Sequence, residues 1–417
     1  MSGRIYVIGA GLSGLSAATI LAQRGASVTV LEGAGQAGGR CRSYFDAAMD
    51  SVIDNGNHLV LSGNHAVNAY LARIGAKACL AGPARAEFAF VDLEYNESWW
   101  LKPDEGALPL WVGRAGRRVP GTKAADYARY APLLWADKNS RIGEVVKERG
   151  DLWRRLMHPF LLAVLNTQPE ESSAALAGAV LRETLLKGGR YCRPRIAHPS
   201  LAAAFVDPAL KFLESKDAGI RLGVRVRGLP RDELSVLAVE TGEAVLPVGS
   251  RDVVILAVPP WAAADLLPGL AVPDQFCAIV NAHFRFDAPQ DTPAMLGVIG
   301  GTAEWIFTFP GRVSVTVSSA DAIVEKDREE LARMIWADVA RALRISASLP
   351  QWQIVKEKRA TFAATPEQDA KRPPARTQWR NLLLAGDWVQ TGLPATIEGA
   401  LRSGEKAAVL ALKHLSL

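Results

Sequence analysis

The sequence predicts an α/β fold in which a dinucleotide-binding domain is interleaved with an α+β domain. Two glycine-containing motifs predict this fold, one within residues 1–40 and one near residue 386 of the 417-residue chain. A chain of this length is too long for one ordinary hydrophobic core. We therefore expect the two ends of the chain to complete one domain and the insertions between them to form the second.

The first element is a buried strand that leads into a glycine turn. Residues 4–8 form a short apolar run with β-branched members, which is typical of a buried parallel strand. Gly9, Gly11 and Gly14 follow at GxGxxG spacing. In this motif the first glycine permits a tight turn, the second lets the backbone approach a pyrophosphate, and the third lets the following helix pack closely on the strand.

A helix is predicted after this turn, from about residue 12 to residue 24. Its first residues, Leu12 and Ser13, offer backbone N–H groups and the positive end of the helix dipole to phosphates. The next strand ends at Glu32, where a carboxylate can accept hydrogen bonds from a ribose 2′-OH. Because strand, turn, helix and acid occur together, the segment indicates a Rossmann-type site rather than an isolated glycine turn.

A second glycine turn, Gly38–Gly39–Arg40, follows Glu32. The glycines permit close approach of the backbone, and the arginine can place a cation against a pyrophosphate or a flavin edge. A solvated arginine beside a flexible turn is the alternative. The order GxGxxG, acid, GGR resembles the flavoprotein superfamily of amine oxidases and phytoene desaturases, and this resemblance implies FAD as the cofactor.

The C-terminal motif agrees with that resemblance. A buried strand at 382–385 precedes Gly386 and Asp387, and a helix is predicted to begin near Thr396 and Ile397. In the superfamily, a late Gly-Asp motif faces the FAD pyrophosphate and ribityl chain, and the next helix aims its N terminus at the flavin. Such a helix dipole stabilises negative charge on a reduced flavin. Taken alone, the Gly-Asp pair would be an ordinary strand-end turn.

The resemblance also divides the chain into segments. FAD-binding segments are expected at 1–80, 201–265 and 371–417. A mostly helical region for substrate and membrane contact is expected at 81–200, and an antiparallel sheet of the substrate domain at 266–370. The FAD-binding domain is of the GR2 type, and in this superfamily the position that Val226 matches contacts the adenine.

Composition and charge exclude several other classes of protein. Four scattered cysteines without metal-ligand spacing argue against a disulfide framework and a metal site, and favour a reducing compartment. No apolar run approaches 18 residues, and the first strand begins almost at Met1, so we expect neither a membrane span nor a signal peptide. The net charge of +5 has no accompanying nucleic-acid recognition motif. We expect a cytoplasmic protein that does not bind nucleic acid.

Two segments combine basic and aromatic side chains, a mixture that suits an anionic membrane surface. Their basic residues are Arg114, Arg117, Arg118, Lys123 and Arg129 in the first segment, and Arg182, Lys187, Arg190, Arg193 and Arg195 in the second. A solvated face is an equally good interpretation. Peripheral association with the inner face of the cytoplasmic membrane is therefore one of two expectations.

Two loops are more specific than the superfamily motifs. The DNGNH and LSGN motifs within residues 49–64, and GLPATIEGALRSG within 391–404, resemble the hydroxysqualene dehydroxylase family. A phytoene desaturase more typically has a proline after the DxG, where Asn57 and His58 stand here. The resemblance runs along the whole chain. It implies FAD-dependent reductive removal of the hydroxyl of hydroxysqualene, a polyprenyl lipid, to give squalene for hopanoid synthesis, with an electron donor that no motif specifies.

This chemistry requires a group that protonates or polarises the departing oxygen. The nearest candidates to the expected flavin are Asp54, Asn57, His58 and Glu398. His58 is the first choice as proton donor because an imidazole pKa lies near neutral pH. For His58 the alternative is a loop histidine bonded to backbone, for Glu398 an acid at a helix N terminus, and for Asp54 a residue that orders its own turn.

The polyprenyl chain must be bound by apolar burial. The candidate pocket residues are Trp99, Trp100, Trp111, Trp153, Phe160, Trp305, Phe307 and Phe309. The strand 305–309 places three of these aromatics on one face and is the preferred wall of a lipid tunnel. Any one of the eight could instead be an ordinary core residue.

Other functions remain compatible with parts of the sequence. A carotenoid-type desaturase would share the fold, FAD and the lipid tunnel, but would remove hydride with oxidised FAD. An amine oxidase is less well supported, because no aromatic pair accompanies the C-terminal motif. A non-catalytic prenyl carrier of the same fold would lack FAD, and the presence of Glu32, Arg40 and Asp387 argues against it.

Overall fold

The computed structural model describes residues 3–147 and 149–415. Its helices are α1 (Leu12–Gln23), α2 (His65–Arg73), α3 (Ala124–Ala128), α4 (Ile142–Val145), α5 (His158–Leu165), α6 (Ala174–Glu183), α7 (Asp207–Glu214), α8 (Pro260–Leu266), α9 (Arg328–Leu343), α10 (Pro366–Ala370) and α11 (Ile397–Leu415). Its strands are β1 (Arg4–Ile8), β2 (Ser27–Glu32), β3 (Ser43–Asp46), β4 (Ser51–Asp54), β5 (Leu59–Leu61), β6 (Leu80–Ala81), β7 (Phe88–Asp92), β8 (Glu97–Leu101), β9 (Pro194–Ala197), β10 (Gly219–Leu222), β11 (Val226–Gly228), β12 (Ala238–Thr241), β13 (Val245–Pro247), β14 (Val253–Leu256), β15 (Phe276–Arg285), β16 (Met295–Ile299), β17 (Trp305–Phe309), β18 (Arg312–Val317), β19 (Trp352–Phe362) and β20 (Leu382–Leu384).

A parallel sheet unites the beginning, middle and end of the chain. Its strand order is β10-β2-β1-β14-β20, and all four pairings are parallel. Both faces of the sheet are covered, which explains why β1 and β14 are almost continuously apolar. Because the carboxyl ends of parallel strands meet at one edge, the motifs that follow β1 and β20 are brought together there.

Two different layers cover this sheet. Ile5 and Val7 of β1 face a core shared with α1, α7 and α11, whereas Tyr6 and Ile8 face the opposite core. The second core lies beneath the antiparallel sheet β11-β12-β13. Helices α1 and α11 pack side by side, and the Ser16 hydroxyl donates to the carbonyl of Leu401 at 3.1 Å. The first and last helices therefore present their N termini to the same edge of the sheet.

A second sheet forms most of the other domain. Its order is β19-β15-β18-β17-β16-β7-β8, and every pairing is antiparallel except β16 with β7. One face is an apolar core covered by α9, with Val280, Val315 and Ile306 fully buried beneath it. The opposite face carries aromatic and polar residues and meets the loops of the first domain.

The segment 81–200 differs from the mostly helical expectation. It contributes β7 and β8 to the large sheet and β9 to a small sheet of order β5-β9-β6. Its helices are short, and their apolar residues pack with β7 and β8 around Trp99, Trp111 and Trp153. Residues of β7 pair with β16, about two hundred positions later in the sequence, and a pairing of such long range leaves no local signal.

No helix in the ranges 3–147 and 149–415 combines the length and the apolar character that crossing a bilayer requires.

Candidate active site

The turn after β1 has the geometry that phosphate binding requires. Gly9 has a φ of +107°, which side chains rarely adopt, and its N–H donates to the carbonyl of Leu31 at 2.7 Å. A Cβ at Gly11 would point into open space. No described side chain caps the N terminus of α1, where Leu12 and Ser13 begin the first turn. The helix terminus is therefore open to an anionic ligand.

Glu32 lies at the end of β2 beside this turn. Its two carboxylate oxygens accept hydrogen bonds from the N–H groups of Ala10 at 2.7 Å and Ala34 at 2.8 Å. The carboxylate therefore shapes the glycine turn. Val224 donates to the Glu32 carbonyl at 2.8 Å, so the segment leading to Val226 runs alongside the same strand end.

The second glycine turn folds back onto the first. The N–H of Gly38 donates to the carbonyl of Ala10 at 2.8 Å, and Gly38 forms an isolated parallel bridge with Gly11. A short 3-10 turn then begins at Gly39 and carries Arg40. This arrangement places an arginine next to the open N terminus of α1.

Arg40 connects the N-terminal motifs to the C-terminal motif. Its Nη2 lies 2.7 Å from Oδ1 of Asp387, and its Nη1 donates to the carbonyl of Ala360. The Asp387 side chain is buried, and the Arg40 side chain is 43% exposed. Asp387 stabilises the protonated guanidinium, so the pKa of Arg40 is raised although burial opposes this. The cation remains partly exposed and can contact a ligand.

The loop after β20 is held by a residue that the sequence analysis did not single out. Arg372 is fully buried, and its guanidinium donates to the carbonyls of Asp387, Val389 and Leu393 at 2.7–3.1 Å. Gly386 donates its N–H to the hydroxyl of Ser403 on α11 at 3.0 Å. The Gly386–Asp387 turn is thus held both by Arg372 and by Ser403 of the last helix. A lone arginine in a loop gives no sequence signal for this role.

Thr396 caps the last helix. Its hydroxyl accepts a hydrogen bond from the N–H of Gly399 at 3.0 Å, and α11 begins at the next residue, Ile397. This places the positive end of the helix beside the loop that Arg372 holds.

The contacts of Glu398 correct its placement among the catalytic candidates. Its buried carboxylate accepts from the N–H groups of Ala66 at 3.1 Å and Val67 at 3.0 Å, and pairs with Arg402 at 2.8 Å. Glu398 therefore caps the first turn of α2, and proton donation would require these bonds to break. Capping is the alternative that a helix N-terminal acid suggests.

Asp54 is also occupied by structural hydrogen bonds. Its Oδ1 accepts from the hydroxyl of Ser43 at 2.6 Å and from the N–H of Leu201 at 2.9 Å. Burial raises the pKa of Asp54, while these two bonds and Arg312 act in the opposite direction. The side chain joins β3 and β4 to the segment at residue 201 and so holds the start of the DNGNH loop.

Asn57 lies at the contact between the two domains. Its Nδ2 donates to the hydroxyl of Thr316 at 3.2 Å, and its N–H donates to Oδ1 of Asn281 at 3.4 Å. Thr316 in turn donates to that same Asn281 oxygen at 2.8 Å. Oδ1 of Asn57 is buried, and no described residue donates to it. A buried acceptor of this kind can receive a hydrogen bond from a ligand or a water molecule.

Asn281, on the large sheet, holds the loop that contains Asn57 by hydrogen bonds. Besides contacting Asn57, its Nδ2 donates to the carbonyl of Asn55 at 3.4 Å. Asn281 lies on β15 opposite Thr316 of β18, so both side chains leave the same face of the large sheet. These two residues were not predicted from the sequence, because each is one of several polar residues that alternate with apolar ones along its strand.

His58 is half-buried next to this network. Burial, and secondarily the Arg40 guanidinium, lower the pKa of His58 to about 4. The expectation of an imidazole that titrates near neutral pH is therefore wrong for this site, because its surroundings disfavour the charged ring. At neutral pH the ring is uncharged and can still donate a hydrogen bond from one nitrogen.

An aromatic wall adjoins Asn57. Trp305 of β17 pairs with Thr316, and Phe307 and Phe309 lie on the same face of the strand. Trp305 packs edge-on against Phe90 with 5.7 Å between ring centroids, and Phe90 stacks on Trp99 at 5.5 Å. We call Trp99, Phe90, Trp305 and Phe307 the aromatic wall. The wall leads away from the amide of Asn57.

The other predicted pocket residues divide into two groups. Trp111, Trp153 and Phe160 belong to the same apolar cluster as the wall residues Phe90, Trp99 and Trp305. Trp100 points to the opposite face of β8 and is exposed. Trp100 is therefore not a pocket residue. The indole nitrogens of Trp99 and Trp305 are buried without a described partner.

Two further titratable groups lie near the wall without joining it. His283 is fully buried, bonds Ser314 at 2.9 Å, and has a pKa lowered to about 3 by burial. Burial raises the pKa of Glu304, which immediately precedes Trp305, to about 7. Its carboxylate accepts a hydrogen bond from the N–H of Ser318 at 2.8 Å.

Metal ligation has no support in the described residues. Over 3–147 and 149–415, no group of three or more His, Cys, Asp or Glu side chains could hold an ion. The four cysteines are free thiols.

The chain is similar to known proteins along almost its whole length. The family model of flavin containing amine oxidoreductases matches residues 12–412. The chain is 54% identical to hydroxysqualene dehydroxylase of Rhodopseudomonas palustris and 52% identical to that of Sinorhizobium fredii, covering 99% of each chain in both cases. Cyclohexylamine oxidase from Brevibacterium oxydans has a similar fold, with a TM-score of 0.72 over 100% of both chains at 16% identity.

Proposed function

Because this chain belongs to the flavin containing amine oxidoreductases, and within them to the hydroxysqualene dehydroxylase family, we propose that it removes the hydroxyl of hydroxysqualene by reduction and forms squalene. This proposal rests on one observation. Over nearly its full length, the chain has the same residue as named dehydroxylases at about half of its positions. The fold class and the family resemblance that the sequence predicted are confirmed by these comparisons.

The cofactor is FAD, and the residues present fit it. The open space at Gly11 and the uncapped N terminus of α1 provide a place for a pyrophosphate, and Glu32 lies at the strand end where a ribose is bound. Arg40 and the N terminus of α11 add positive charge at the same edge of the sheet. Together these features support a bound dinucleotide with an anionic pyrophosphate.

The reaction exchanges a C–O bond for a C–H bond. One hydride and one proton are consumed, and water is released. Reduced FAD supplies the hydride when it is bound. Since the hydroxyl of the substrate is allylic, its departure leaves positive charge spread over the neighbouring carbons. The protein must assist the departing oxygen and keep water away from that charge.

We propose that Asn57 and His58 together orient and protonate the departing oxygen. The unpaired Oδ1 of Asn57 accepts the hydrogen of the substrate hydroxyl and so orients it. His58 acts on the oxygen as a proton donor; because its pKa is lowered to about 4, the imidazolium is scarce at neutral pH but is a strong acid where it forms. The Asn281–Thr316 pair fixes Asn57 and thereby acts as a positioning element.

The aromatic wall accounts for the rest of the site. A polyprenyl chain offers no charge, so its affinity comes from burial of apolar area at about 25 cal/mol per Å². Trp305 and Phe307 would also present aromatic faces to the developing cation, which such faces stabilise. These residues support a lipid substrate, and they exclude bulk water from the reacting carbon.

The products of two reactions distinguish a dehydroxylase from a desaturase. Under anaerobic conditions, the reduced holoenzyme is expected to convert hydroxysqualene to squalene. The oxidised holoenzyme supplied with phytoene and an electron acceptor is expected to leave phytoene unchanged. Desaturated phytoene together with unreacted hydroxysqualene would contradict the proposal and support a carotenoid-type desaturase.

We propose also that the enzyme takes its substrate from the inner face of the cytoplasmic membrane. Hydroxysqualene partitions into lipid, and no described helix spans a bilayer, so contact with the membrane would be peripheral. The two basic and aromatic segments of the sequence support this proposal.

A further inference from the structure

We propose that residues 104–110 and 185–191 together form a docking surface for an anionic lipid bilayer, and that this surface is the side from which substrate enters. The inference rests on the proposed lipid substrate for its purpose, although the surface itself is defined by the fold. We call these two segments the docking surface.

The two halves of the docking surface are joined by backbone contacts. Gly189 donates its N–H to the carbonyl of Asp104 at 2.6 Å, and Arg193 pairs with the Glu105 carboxylate at 2.7 Å. Gly188 has a φ of +88°, and a Cβ there would collide with the carbonyl of Gly106. Two segments that are about eighty positions apart in the sequence thus form one continuous surface.

Large apolar side chains are concentrated on and around this surface. Of the fourteen that are exposed in the described part of the chain, four lie in these two segments: Leu108, Leu110, Leu186 and Tyr191. Leu108 and Leu110 are 71% and 63% exposed. Trp135 adjoins the region, because Arg182 on α6 donates to the preceding carbonyl of Leu134. A cluster of this kind indicates an interaction surface rather than isolated exposed residues.

The charge of the region indicates an anionic partner. Residues 102–118 and 182–195, which comprise the docking surface and its flanks, contain nine Lys and Arg against three Asp and Glu. The docking surface itself contains two basic and two acidic residues, so the excess of six positive charges lies in the flanks. The whole chain has a net charge of +5, so the remainder has a net charge of −1. Apolar side chains surrounded by excess positive charge match a bilayer that contains anionic lipid.

Three arginines that the sequence suggested for membrane contact have structural partners instead. Arg114 and Arg117 both pair with Asp104, and Arg118 donates to the carbonyls of Val112 and Thr122 at 2.9 and 2.7 Å. Their substitution would disturb the fold of the segment as well as its charge. The exposed leucines are the better positions for a test, because they contribute little to packing.

The docking surface is continuous with the active-site loop. The carbonyls of Tyr191 and Arg193 accept from the N–H groups of Gly63 and Ser62, each at 2.9 Å. Strand β5 connects these two residues directly to His58, and β5 pairs with β9. A lipid bound at Tyr191 is therefore one short strand away from the Asn57–His58 pair.

The test compares two triple variants of the FAD-loaded enzyme. One is Leu108→Ser/Leu110→Ser/Leu186→Ser on the docking surface, and its matched control is Leu234→Ser/Leu237→Ser/Val245→Ser, where three similarly exposed apolar residues lie elsewhere. Thermal unfolding and retained flavin absorbance show that each variant is folded. Binding is measured by co-sedimentation with vesicles of phosphatidylcholine, with and without phosphatidylglycerol.

The parent and the control are expected to bind the phosphatidylglycerol vesicles, and less strongly at high salt. The docking-surface variant is expected to bind at least about tenfold more weakly, because it lacks three apolar side chains that would insert into the bilayer. Equal binding by the two triple variants, or no binding by the parent, would overturn the inference.

Activity measurements separate this inference from the proposed function. With hydroxysqualene in detergent micelles, the docking-surface variant is expected to match the parent. With hydroxysqualene in phosphatidylglycerol vesicles, it is expected to be slower than the control variant. A parent that binds vesicles in this pattern but makes no squalene would refute the proposed function and leave the docking surface intact.

Discussion

The guanidinium of Arg40 and the carboxylate of Asp387 are 2.7 Å apart, although 347 positions separate them in the sequence. This ion pair closes the edge of the parallel sheet at which both glycine-containing motifs lie. Asp387 is buried and Arg40 is partly exposed, so the pair holds a partly exposed cation at that edge of the sheet. The cofactor site is therefore a property of the complete chain rather than of its first forty residues.

Breaking this ion pair is expected to weaken FAD binding. Arg40→Gln and Asp387→Asn should each raise the dissociation constant of FAD by about tenfold or more, since each removes a charge-assisted hydrogen bond next to the ligand. The double variant should lose less than the sum of the two single losses, because both remove one interaction. Flavin titration of the apoprotein measures this. Arg333→Gln, in an exposed pair on α9, is the control and should bind FAD normally; additive losses would contradict the coupling.

Glu32 is expected to contribute to FAD binding through both of its oxygens. Glu32→Gln retains the shape of the side chain but replaces one acceptor with a donor, facing the N–H of Ala10 or Ala34. The glycine turn should loosen, and the affinity for FAD should fall by about tenfold or more. The same titration applies, with Glu243→Gln on an exposed turn as the control. Parental affinity in Glu32→Gln would remove Glu32 from cofactor binding.

His58 is expected to give the reaction a distinctive pH dependence. With a pKa of about 4, the imidazolium is present in about one molecule in a thousand at pH 7, and its population rises about tenfold for each pH unit lost. If the imidazolium donates the proton, kcat/KM should rise by that factor as the pH falls from 7 toward 5. His58→Ala should be slower, should retain FAD and should lose this slope. A parent profile that is flat over this range would show that His58 does not donate the proton.

The Asn281–Thr316 pair is expected to affect turnover more than cofactor binding. Asn281→Ala removes the acceptor of the Asn57 N–H and the donor to the Asn55 carbonyl. We expect kcat to fall by about tenfold or more, as for other losses of orientation, while the dissociation constant of FAD changes little. Thr308→Val, on the opposite face of β17, is the control and should retain kcat. A fall in FAD affinity that equals the fall in kcat would indicate a purely structural role.

The sequence predicted those parts of the fold that depend on local signals. Strand β1, the glycine turn and α1 follow one another within twenty residues, and the structure places Gly9 and Leu12 as the motif requires. The aromatic face of β17 was also predictable, because alternation along a strand determines which residues share a face. In each case the information lies within a few neighbouring residues.

Interactions between distant segments were not predictable in this way. Asn57 meets Thr316 because β18 has one particular register against β15, and a shift by one residue would turn that hydroxyl to the other face. Likewise β7 is a strand because β16 pairs with it, and Glu398 is a cap because α2 begins beside it. The low pKa of His58 results from burial, which spacing within the sequence cannot show.

The most direct test of the proposed function is a single turnover without oxygen. The FAD-loaded enzyme is reduced, freed of excess reductant and mixed with hydroxysqualene, while the absorbance of oxidised flavin and the amount of squalene are followed together. Oxidised flavin and squalene are expected to appear at the same rate and in equal amounts. Flavin that stays reduced in the presence of hydroxysqualene, or that reoxidises without forming squalene, would contradict the proposed function.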